Sequence, residues 1–327
     1  MNNPSPHDLA RAGSLGELYA LLKPMNVGPG WDKPTPSLWE SPRKSFVPAH
    51  WRYDQARAAL DAAGRLINTE LAERRNLILF NPIPGNDYAT TRTLLAAYQM
   101  ILPGEKARSH RHTPNALRLI VDAEPGAYTV VDGVKLMMVP GDVLLTPNWS
   151  WHGHGNEAAA PAYWIDFLDT PLIHALEPMF FEPHPAIYEP IARVTADSPM
   201  RFSWEDTLRL LDAAPADSAG RYGTEIELGD PAMTTIALHM MRLEADLSTA
   251  AHRTTANNIY AVAQGRGVSV IDGERFEWSR GDVIAAPAWR PHWHRAAEDA
   301  VLLRVSDEPL LSKLDLLREE RLTSNPV

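Results

Sequence analysis

The chain has 327 residues, of which 45% are hydrophobic and 22% charged, a composition typical of a globular protein with room for two domains. Its 41 acidic residues outnumber 31 basic ones, and the formal net charge of −10 argues against general nucleic-acid binding. There is no cysteine, so disulfides and thiolate ligands are excluded and any metal must be held by nitrogen and oxygen atoms.

Residues 1–75 are predicted to form a helical segment with an extended arm. The N-terminus lacks the basic and then apolar pattern of a signal peptide, and no apolar run approaches the length of a membrane span, so we expect a cytoplasmic protein. Two stretches, SLGELYALLKP and YDQARAALDAAGRLI, carry apolar residues at helical spacing. The proline-rich stretch between them, from Pro34 to Pro48, is predicted to be the arm.

A frame of glycine, proline and histidine occurs twice in the rest of the chain. The pattern G-x5-P-x4-H-x-H begins at Gly141 and again at Gly281, and HRHT at 110–113 matches HRTT at 252–255. Each half also has an Asp-Gly pair between strand-like runs, which is a hairpin signal. A duplicated unit of short strands and Gly/Pro turns predicts two all-β barrels in tandem.

This repeat divides the chain after the N-terminal segment into three parts. We expect the first barrel over 76–169 and a connector over 170–232, with a helix in SWEDTLRLLDAA. The second barrel is expected over 233–327, closed by a short helix in LLSKLDLLREERL.

Three histidines of the first barrel form a candidate metal site. His110 and His112 are two residues apart, so on one strand their side chains point to the same face. His152, delivered by a later strand, would complete a set of three imidazoles for a divalent transition metal. Residues 113–119 contain no carboxylate, so three neutral ligands would leave positions open for chemistry.

The second barrel is predicted to lack this site. It retains His252 and His292 but has Thr254 in place of His112. Two imidazoles and a hydroxyl make a poor iron or zinc site, although His294 could in principle assist. We therefore interpret the second barrel as a structural half that packs against the first.

The residues that carry a family resemblance span nearly the whole chain. KPTPSLWE, VPAHWRYDQARAALDAAG and AERRNLILFNP precede the first barrel, HRHTPNALRLIV, LLTPNWSWHGHGN and YWIDFLD lie within it, and VSDEPLLSKLDLLREE lies near the end. Together with the paired motifs they resemble the gentisate 1,2-dioxygenase family of bicupins, which includes salicylate and 1-hydroxy-2-naphthoate 1,2-dioxygenases. The resemblance implies a mainly β fold of two double-stranded β-helix (jelly-roll) barrels, and a homotetramer.

The resemblance also implies an activity. One Fe(II) per subunit, in the first barrel, would support cleavage of gentisate (2,5-dihydroxybenzoate) by O2 between the carboxylate-bearing carbon and its hydroxylated neighbour, giving maleylpyruvate. Zinc, which has no redox chemistry, would not support this reaction. Salicylate, substituted salicylates and 1-hydroxy-2-naphthoate remain alternative substrates. From other classes, a non-catalytic bicupin that binds a small anion, or a redox-inert isomerase or hydrolase, stays open.

Arg118 is a candidate for binding the substrate carboxylate. It follows His112 by six residues, and this even spacing predicts a place on the strand face that carries the histidines. A guanidinium inside a barrel needs an anion, which either a substrate or a buried carboxylate such as Asp166 would supply. We expect the substrate.

Further candidates come from the resemblance. It places His154 near the substrate in an acid/base or hydrogen-bonding role, with the alternative that His154 is itself the third metal ligand instead of His152. It makes Asp166 a pocket carboxylate that orients His154 or binds a ring hydroxyl. As an alternative, Asp166 is satisfied by a nearby backbone group or arginine.

Four residues upstream of the metal motif complete the predicted site. The resemblance implies that Gln99 lines the pocket, and that Leu95 stands where some relatives have tryptophan, which leaves the substrate open. Arg74 and Arg75 resemble arginines that reach an active site, either their own or a neighbouring subunit's. Without the resemblance, an arginine doublet is more often a solvated face.

Overall fold

The computed structural model describes residues 3–72, 74–229 and 233–324, and the chain divides into two compact units, Met1–Arg43 and Lys44–Val327. The first unit contains α1 (Pro6–Ala10), α2 (Leu15–Leu22) and a 3-10 turn (Lys23–Met25). The side chain of Ser14 caps α2 by accepting the backbone N–H of Glu17. Beyond the turn, the described residues of this unit form no helix or strand. Proline lacks a backbone N–H donor, so proline-rich sequence disfavours both kinds of element.

The second unit begins with elements that pack on both barrels. These are β1 (Ala49–Trp51), α3 (Tyr53–Leu66) and α4 (Thr69–Ala72). The helix α3 buries Leu60, and Gly64 lets it approach closely, since a Cβ there would lie 2.9 Å from the terminal methyl of Met100. No helix in the described ranges is both long and apolar enough to cross a bilayer.

The first barrel is made of two facing six-stranded sheets. Its strands up to residue 168 are β2 (Arg75–Ile78), β3 (Leu95–Ile101), β4 (Lys106–His112), β5 (Ala116–Asp122), β6 (Ala127–Val131), β7 (Val134–Met137), β8 (Val143–Thr146), β9 (His152–Asn156) and β10 (Ala162–Leu168). Later elements are α5 (Thr170–Leu176), β11 (Phe181–Pro183), β12 (Arg193–Val194), β13 (Arg201–Phe202) and α6 (Trp204–Ala213). The strand orders are β13-β8-β5-β10-β3-β2 and β11-β4-β9-β6-β7-β12.

The second barrel repeats this arrangement. Its elements are β14 (Thr224–Glu227), β15 (Ala237–Leu243), β16 (His252–Thr254), β17 (Asn258–Gln264), β18 (Arg266–Ile271), β19 (Glu274–Ser279), β20 (Val283–Ala286), β21 (His292–Ala296), β22 (Ala300–Ser306), α7 (Glu308–Lys313) and β23 (Glu319–Arg321). The strand orders are β1-β20-β17-β22-β15-β14 and β19-β18-β21-β16-β23. The predicted mainly β class with two tandem barrels is confirmed.

The Asp-Gly pairs form the predicted hairpins. Asp132 and Gly133 join β6 to β7 with φ of 45° and 78°, and Asp272 and Gly273 join β18 to β19 with φ of 52° and 84°. Positive φ at both central residues defines the hairpin turn that matches the twist of the flanking strands, and Asp-Gly tolerates it.

Short strands lie outside the predicted barrel limits. Within 170–232, β11, β12 and β13 pair with the first barrel and β14 pairs with β15 of the second. From the N-terminal segment, β1 pairs with β20 of the second barrel. The stretch predicted as a C-terminal helix contains the last residues of α7 and then β23, which pairs with β16. Strands of two to four residues are too short to show an alternating pattern in the sequence.

One hydrophobic cluster extends through both barrels. Buried side chains of β5 and β10, such as Leu119 and Phe167, belong to the same apolar cluster as Leu238, Ile259 and Leu303 of the second barrel. Burying these faces against each other removes both from water, which is the main stabilising contribution to the pair of barrels.

Candidate metal centre and substrate cavity

The three predicted metal ligands lie together inside the first barrel. His110 and His112 are on β4, and His152, the first residue of β9, pairs directly with His110 across the sheet. One ligand nitrogen from each of the three lies within 4.8 Å of the others. In the part of the chain that the structure describes, this is the one group of three or more His, Asp or Glu side chains close enough to hold a metal ion.

Backbone carbonyls orient two of these rings. Nδ1 of His112 lies 2.9 Å from the carbonyl oxygen of Pro114, and Nδ1 of His152 lies 3.0 Å from that of Ser150. A carbonyl oxygen only accepts, so each Nδ1 carries the hydrogen and each Nε2 keeps its lone pair for a metal. The donor set therefore fits a divalent transition metal.

Burial keeps the three imidazoles neutral. It lowers the pKa of His110 to about 3 and that of His112 to about 4. It lowers the pKa of His152 well below the usual range for histidine. Metal ligation requires neutral imidazole, so the environment holds these side chains in the ligating form.

Arg118 lies at the centre of a buried network beside the histidines. Its Nη1 donates to Thr129 Oγ1 at 3.0 Å and to His154 Nδ1 at 2.6 Å. Its Nε lies 3.2 Å from Oδ1 of Asp166, an ion-pair distance without hydrogen-bond alignment. Burial lowers the pKa of Arg118 to about 10 while Asp166 opposes the shift, so the guanidinium stays charged at neutral pH.

His154 is a neighbour of the metal group and not a member of it. Nδ1 and Nε2 of His154 lie 2.6 Å and 3.1 Å from Nη1 of Arg118, so the neutral ring accepts a hydrogen bond from the guanidinium. Burial, with Arg118 as the next contribution, lowers the pKa of His154 well below the usual range. In the described structure, His152 is the histidine of this pair that groups with His110 and His112.

The spacing argument that predicted the orientation of Arg118 is wrong. Even spacing from His112 assumes a single strand, but β4 ends at His112 and β5 begins at Ala116 in the opposite sheet. Arg118 faces the interior because its strand forms the facing wall of the barrel. The alternative partner, Asp166, lies directly opposite Arg118 in the register of β5 and β10.

A polar chain extends from Asp166 to the start of β2. Gln99 donates through Nε2 to Asp166 Oδ2, and Arg74 donates through Nε to Gln99 Oε1. Burial raises the pKa of Asp166, and the charges of Arg118 and Arg74 oppose that shift. Five predicted site residues thus form one connected network, which runs through His154, Arg118, Asp166, Gln99 and Arg74.

A cavity of about 150 Å³ opens beside this network. The cavity is lined by His112, His152, Arg118, Asp166, Gln99, Arg74, Leu95, Asn76, Ile78, Ala97, Ala116, Leu168 and Thr170. It therefore brings two of the three candidate metal ligands and five of the other predicted site residues to one space.

Arg75 does not join the cavity. It is buried, and its guanidinium donates to Glu105 and, at 2.6 Å, to the carbonyl oxygen of Ile67. Alternation along β2 points Asn76 and Ile78 into the cavity and turns Arg75 to the other face. We therefore correct the expected role of Arg75 from substrate binding to an internal structural contact.

Sequence reasoning missed Thr129 and six residues that line the cavity, which are Asn76, Ile78, Ala97, Ala116, Leu168 and Thr170. Thr129 lies opposite His154 in the register of β6 and β9 and bonds to Arg118. Asn76 and Ala97 line the cavity. Alternation could have identified Ala97, which lies between Leu95 and Gln99 on the same face of β3, whereas the strand pairing that places Thr129 is not visible in the sequence.

The second barrel keeps the frame but not the ligand set. Tyr260 stands at the position equivalent to Arg118, and its hydroxyl lies 3.0 Å from Nε2 of His292. Opposite Tyr260, the buried Arg304 is paired with Glu225 and Glu308 at 2.6–3.1 Å. Here one guanidinium is paired with two protein carboxylates, whereas Arg118 in the first barrel is paired with one, that of Asp166.

Comparison with known proteins agrees with the duplicated architecture. The Cupin domain model matches residues 97–168 and 239–306. The chain is 33% identical to a 5-aminosalicylate 1,2-dioxygenase of Comamonas sp, over 94% of this chain and 90% of that protein. It is 32% identical to the gentisate 1,2 dioxygenase 1 of Aquipseudomonas alcaligenes, over 93% of this chain and 96% of that protein.

A solved structure has the same overall fold. The salicylate 1,2-dioxygenase of Pseudoaminobacter salicylatoxidans, crystallised as an adduct with gentisate, superposes with a TM-score of 0.85. The two sequences are 29% identical, and the match covers 96% of this chain and 95% of that one.

Proposed function

Because the chain belongs to the gentisate 1,2-dioxygenase family of bicupin ring-cleaving dioxygenases, we propose that it is an Fe(II)-dependent enzyme that cleaves gentisate. The bond broken would lie between the carboxylate-bearing carbon and the adjacent hydroxylated carbon, and the product would be maleylpyruvate. Salicylate and substituted salicylates are the alternative substrates.

One observation carries this proposal: a charged guanidinium and two of the three candidate metal ligands open onto the same small cavity. Arg118, 1% exposed, lines the cavity together with His112 and His152. A ring with a carboxylate next to a hydroxyl could then have its carboxylate neutralised by Arg118 while its oxygens reach the metal position.

His110, His112 and His152 would hold the metal. Fe(II) bound there would supply the redox chemistry that ring cleavage by O2 requires. Since the three ligands are neutral, the charge of the ion is left to attract an anionic aromatic acid.

The surrounding side chains would orient the substrate and its protons. Arg118 orients the neutral ring of His154, which would take part in hydrogen bonding or proton transfer near the substrate. Asp166 Oδ1, which lies 3.2 Å from Nε of Arg118, would also accept from a ring hydroxyl. Gln99 and Arg74 would hold Asp166 in place from behind.

The size of the cavity supports a substrate with one ring. About 150 Å³ lies below the roughly 300–1,000 Å³ that drug-sized ligands occupy. The fused rings of 1-hydroxy-2-naphthoate would need the wall at Leu95 to move, so we place this compound below gentisate and salicylate.

We also propose that the enzyme works as a homotetramer. Large apolar side chains are exposed on the chain, among them Leu38 at 89%, Trp31 at 70% and Phe180 at 61%. Exposed apolar surface of this kind supports self-association. Light scattering of the purified protein would measure the mass directly, and a monomer would contradict this part of the proposal.

The activity is tested by anaerobic loading with Fe(II), followed by oxygen uptake and product analysis with gentisate, salicylate and 1-hydroxy-2-naphthoate in parallel. We expect one O2 consumed per gentisate and a product with the mass and absorbance of maleylpyruvate. Uptake with salicylate alone would move the assignment to the alternative substrate. No uptake with any of the three, from protein shown to hold iron, would contradict the proposal.

A further inference from the structure

A buried carboxylate connects the metal-site loops of the first barrel to the second barrel. Oδ1 of Asp169 accepts the backbone N–H of Asn115 at 2.8 Å, and Oδ2 accepts from Asn115 Nδ2 at 3.1 Å. Thr235, which precedes the first long strand of the second barrel, donates its hydroxyl to the same Oδ2 and accepts from Asn115 Nδ2 at 2.9 Å. These three side chains form a closed triangle, here called the Asp169 clamp.

The clamp holds the loop that carries the orienting group of His112. Asn115 follows Pro114 directly, and the carbonyl oxygen of Pro114 fixes the ring of His112. Anchoring Asn115 by its backbone N–H and by its side chain therefore holds that carbonyl in place.

The clamp also reaches the loop that delivers His152. The side-chain oxygen of Asn115 accepts the backbone N–H of Asn148 at 3.0 Å. The same loop donates from the backbone of Trp149 to the carbonyl oxygen of His112 at 2.9 Å. Two of the three proposed ligands thus depend on one polar centre, and Thr235 is its contribution from the other barrel.

A second clamp of the same design lies on the metal-free side. Oδ1 of Asp307 accepts the backbone N–H of Asn257 at 2.7 Å, and its Oδ2 accepts from Asn257 Nδ2 at 2.8 Å. Thr93, just before the first long strand of the first barrel, donates to that Oδ2. This Asp307 clamp holds the loop after Thr254, which stands at the position equivalent to His112. A substitution in the Asp307 clamp is therefore a control, because it changes the same kind of contact beside a residue that is not a candidate metal ligand.

We propose that Thr235 is a positioning residue for the metal centre, through which the second barrel holds the ligand loops of the first in register. The degenerate barrel then has a role in catalysis without a site of its own. This inference rests on the proposed metal site at His110, His112 and His152.

The test compares Thr235→Val with Thr93→Val, which removes the same hydroxyl from the Asp307 clamp. Both variants keep the side-chain shape, and we expect similar losses of thermal stability. Co(II) is the probe: its affinity for the apoprotein is measured by competition with a chelator, and its visible spectrum reports the ligand geometry. Because changes around a metal ligand typically cost 10- to 100-fold in affinity, we expect about a three- to tenfold loss for the more distant Thr235→Val.

Thr93→Val is expected to bind Co(II) with the affinity and spectrum of the wild type, and Thr235→Ser, which restores a hydroxyl, is expected to recover both. Equal effects of Thr235→Val and Thr93→Val on Co(II) would overturn the positioning role. A wild-type protein that binds no Co(II) would overturn the metal site itself, and with it this inference. Should Thr235→Val fail to fold, Thr235→Cys, a weaker donor of similar size, is compared with Thr93→Cys by the same measurements.

Discussion

Arg118 and Asp166 face each other on neighbouring antiparallel strands, with Nε of the guanidinium 3.2 Å from Oδ1 of the carboxylate. Both are almost fully buried, at 1% and 3% exposure. The pair balances two charges that would be costly to bury alone. A substrate carboxylate would be a second anion for the same guanidinium, so we expect Asp166 to set how strongly Arg118 attracts its ligand.

Removing the charge of Arg118 should weaken substrate binding. For Arg118→Gln we expect kcat/KM to fall on the order of 10²-fold, since a charge-assisted pair of hydrogen bonds contributes about 3 kcal/mol or more. The loss should appear mainly as a higher KM, measured by oxygen uptake at varied substrate concentration. For Arg118→Lys, which keeps the charge but loses the planar guanidinium, we expect a KM between those of the wild type and Arg118→Gln. An unchanged KM in folded Arg118→Gln would contradict carboxylate binding here.

Metal content should respond to one barrel only. His112→Ala removes one of three proposed ligands, and we expect bound iron, measured by atomic emission after desalting, to fall from about one per subunit toward zero. His252→Ala is the matched control, because His252 is the equivalent of His110 in the second barrel. The described residues of that barrel do not bring three potential metal ligands together. The His252→Ala variant should retain full iron content. Iron loss in both variants would indicate a second functional site.

The wall at Leu95 should control ring size. Leu95→Ala removes three carbon atoms from the lining of the cavity. Because each methylene in a pocket contributes about 1–3 kcal/mol to discrimination, we expect at least a tenfold rise in kcat/KM for 1-hydroxy-2-naphthoate relative to gentisate. Leu168→Ala, on another wall of the same cavity, is the comparison. If the ratio of kcat/KM for 1-hydroxy-2-naphthoate to that for gentisate is the same in wild type and Leu95→Ala, Leu95 does not set the size limit.

Glu189 should make stability fall as the pH rises. Burial is the main cause that raises the pKa of its carboxyl to about 7, and the charge of Asp132 adds to it. A raised pKa means that the folded state favours the protonated carboxyl. The contribution of Glu189 to the free energy of unfolding is therefore present below about pH 4.5 and is lost as the pH rises to about 7.

Glu189→Gln removes the carboxylate and its pH dependence. We expect it to be more stable than wild type at pH 8, on the order of 1 kcal/mol after allowance for solvent screening, and similar to it at pH 4. Urea unfolding at both pH values measures the difference. The exposed Glu124 gives the control variant Glu124→Gln. A pH-independent difference for Glu189→Gln would contradict the shifted ionisation.

The parts of the site that could be predicted are those that follow from local spacing. The two-residue separation of His110 and His112 and the repeated frame around His152 indicated the metal group before any fold was known. Arg75 shows the limit of such reasoning, since an arginine doublet does not say which member faces a cavity. The strand β2 decides it by turning Arg75 toward Glu105.

Sequence alone determined the class of fold, the tandem barrels and the candidate ligand triplet, because hydrophobic alternation, Asp-Gly turns and motif spacing are properties of neighbouring residues. Only the tertiary structure decided that β5 lies in the sheet opposite β4, that Arg118 meets His154 and Asp166, and that Thr235 reaches Asp169. These contacts join segments that are from 36 to 66 residues apart. They depend on which sheets face each other, and that is settled by burying the shared core of both barrels and not by any local pattern.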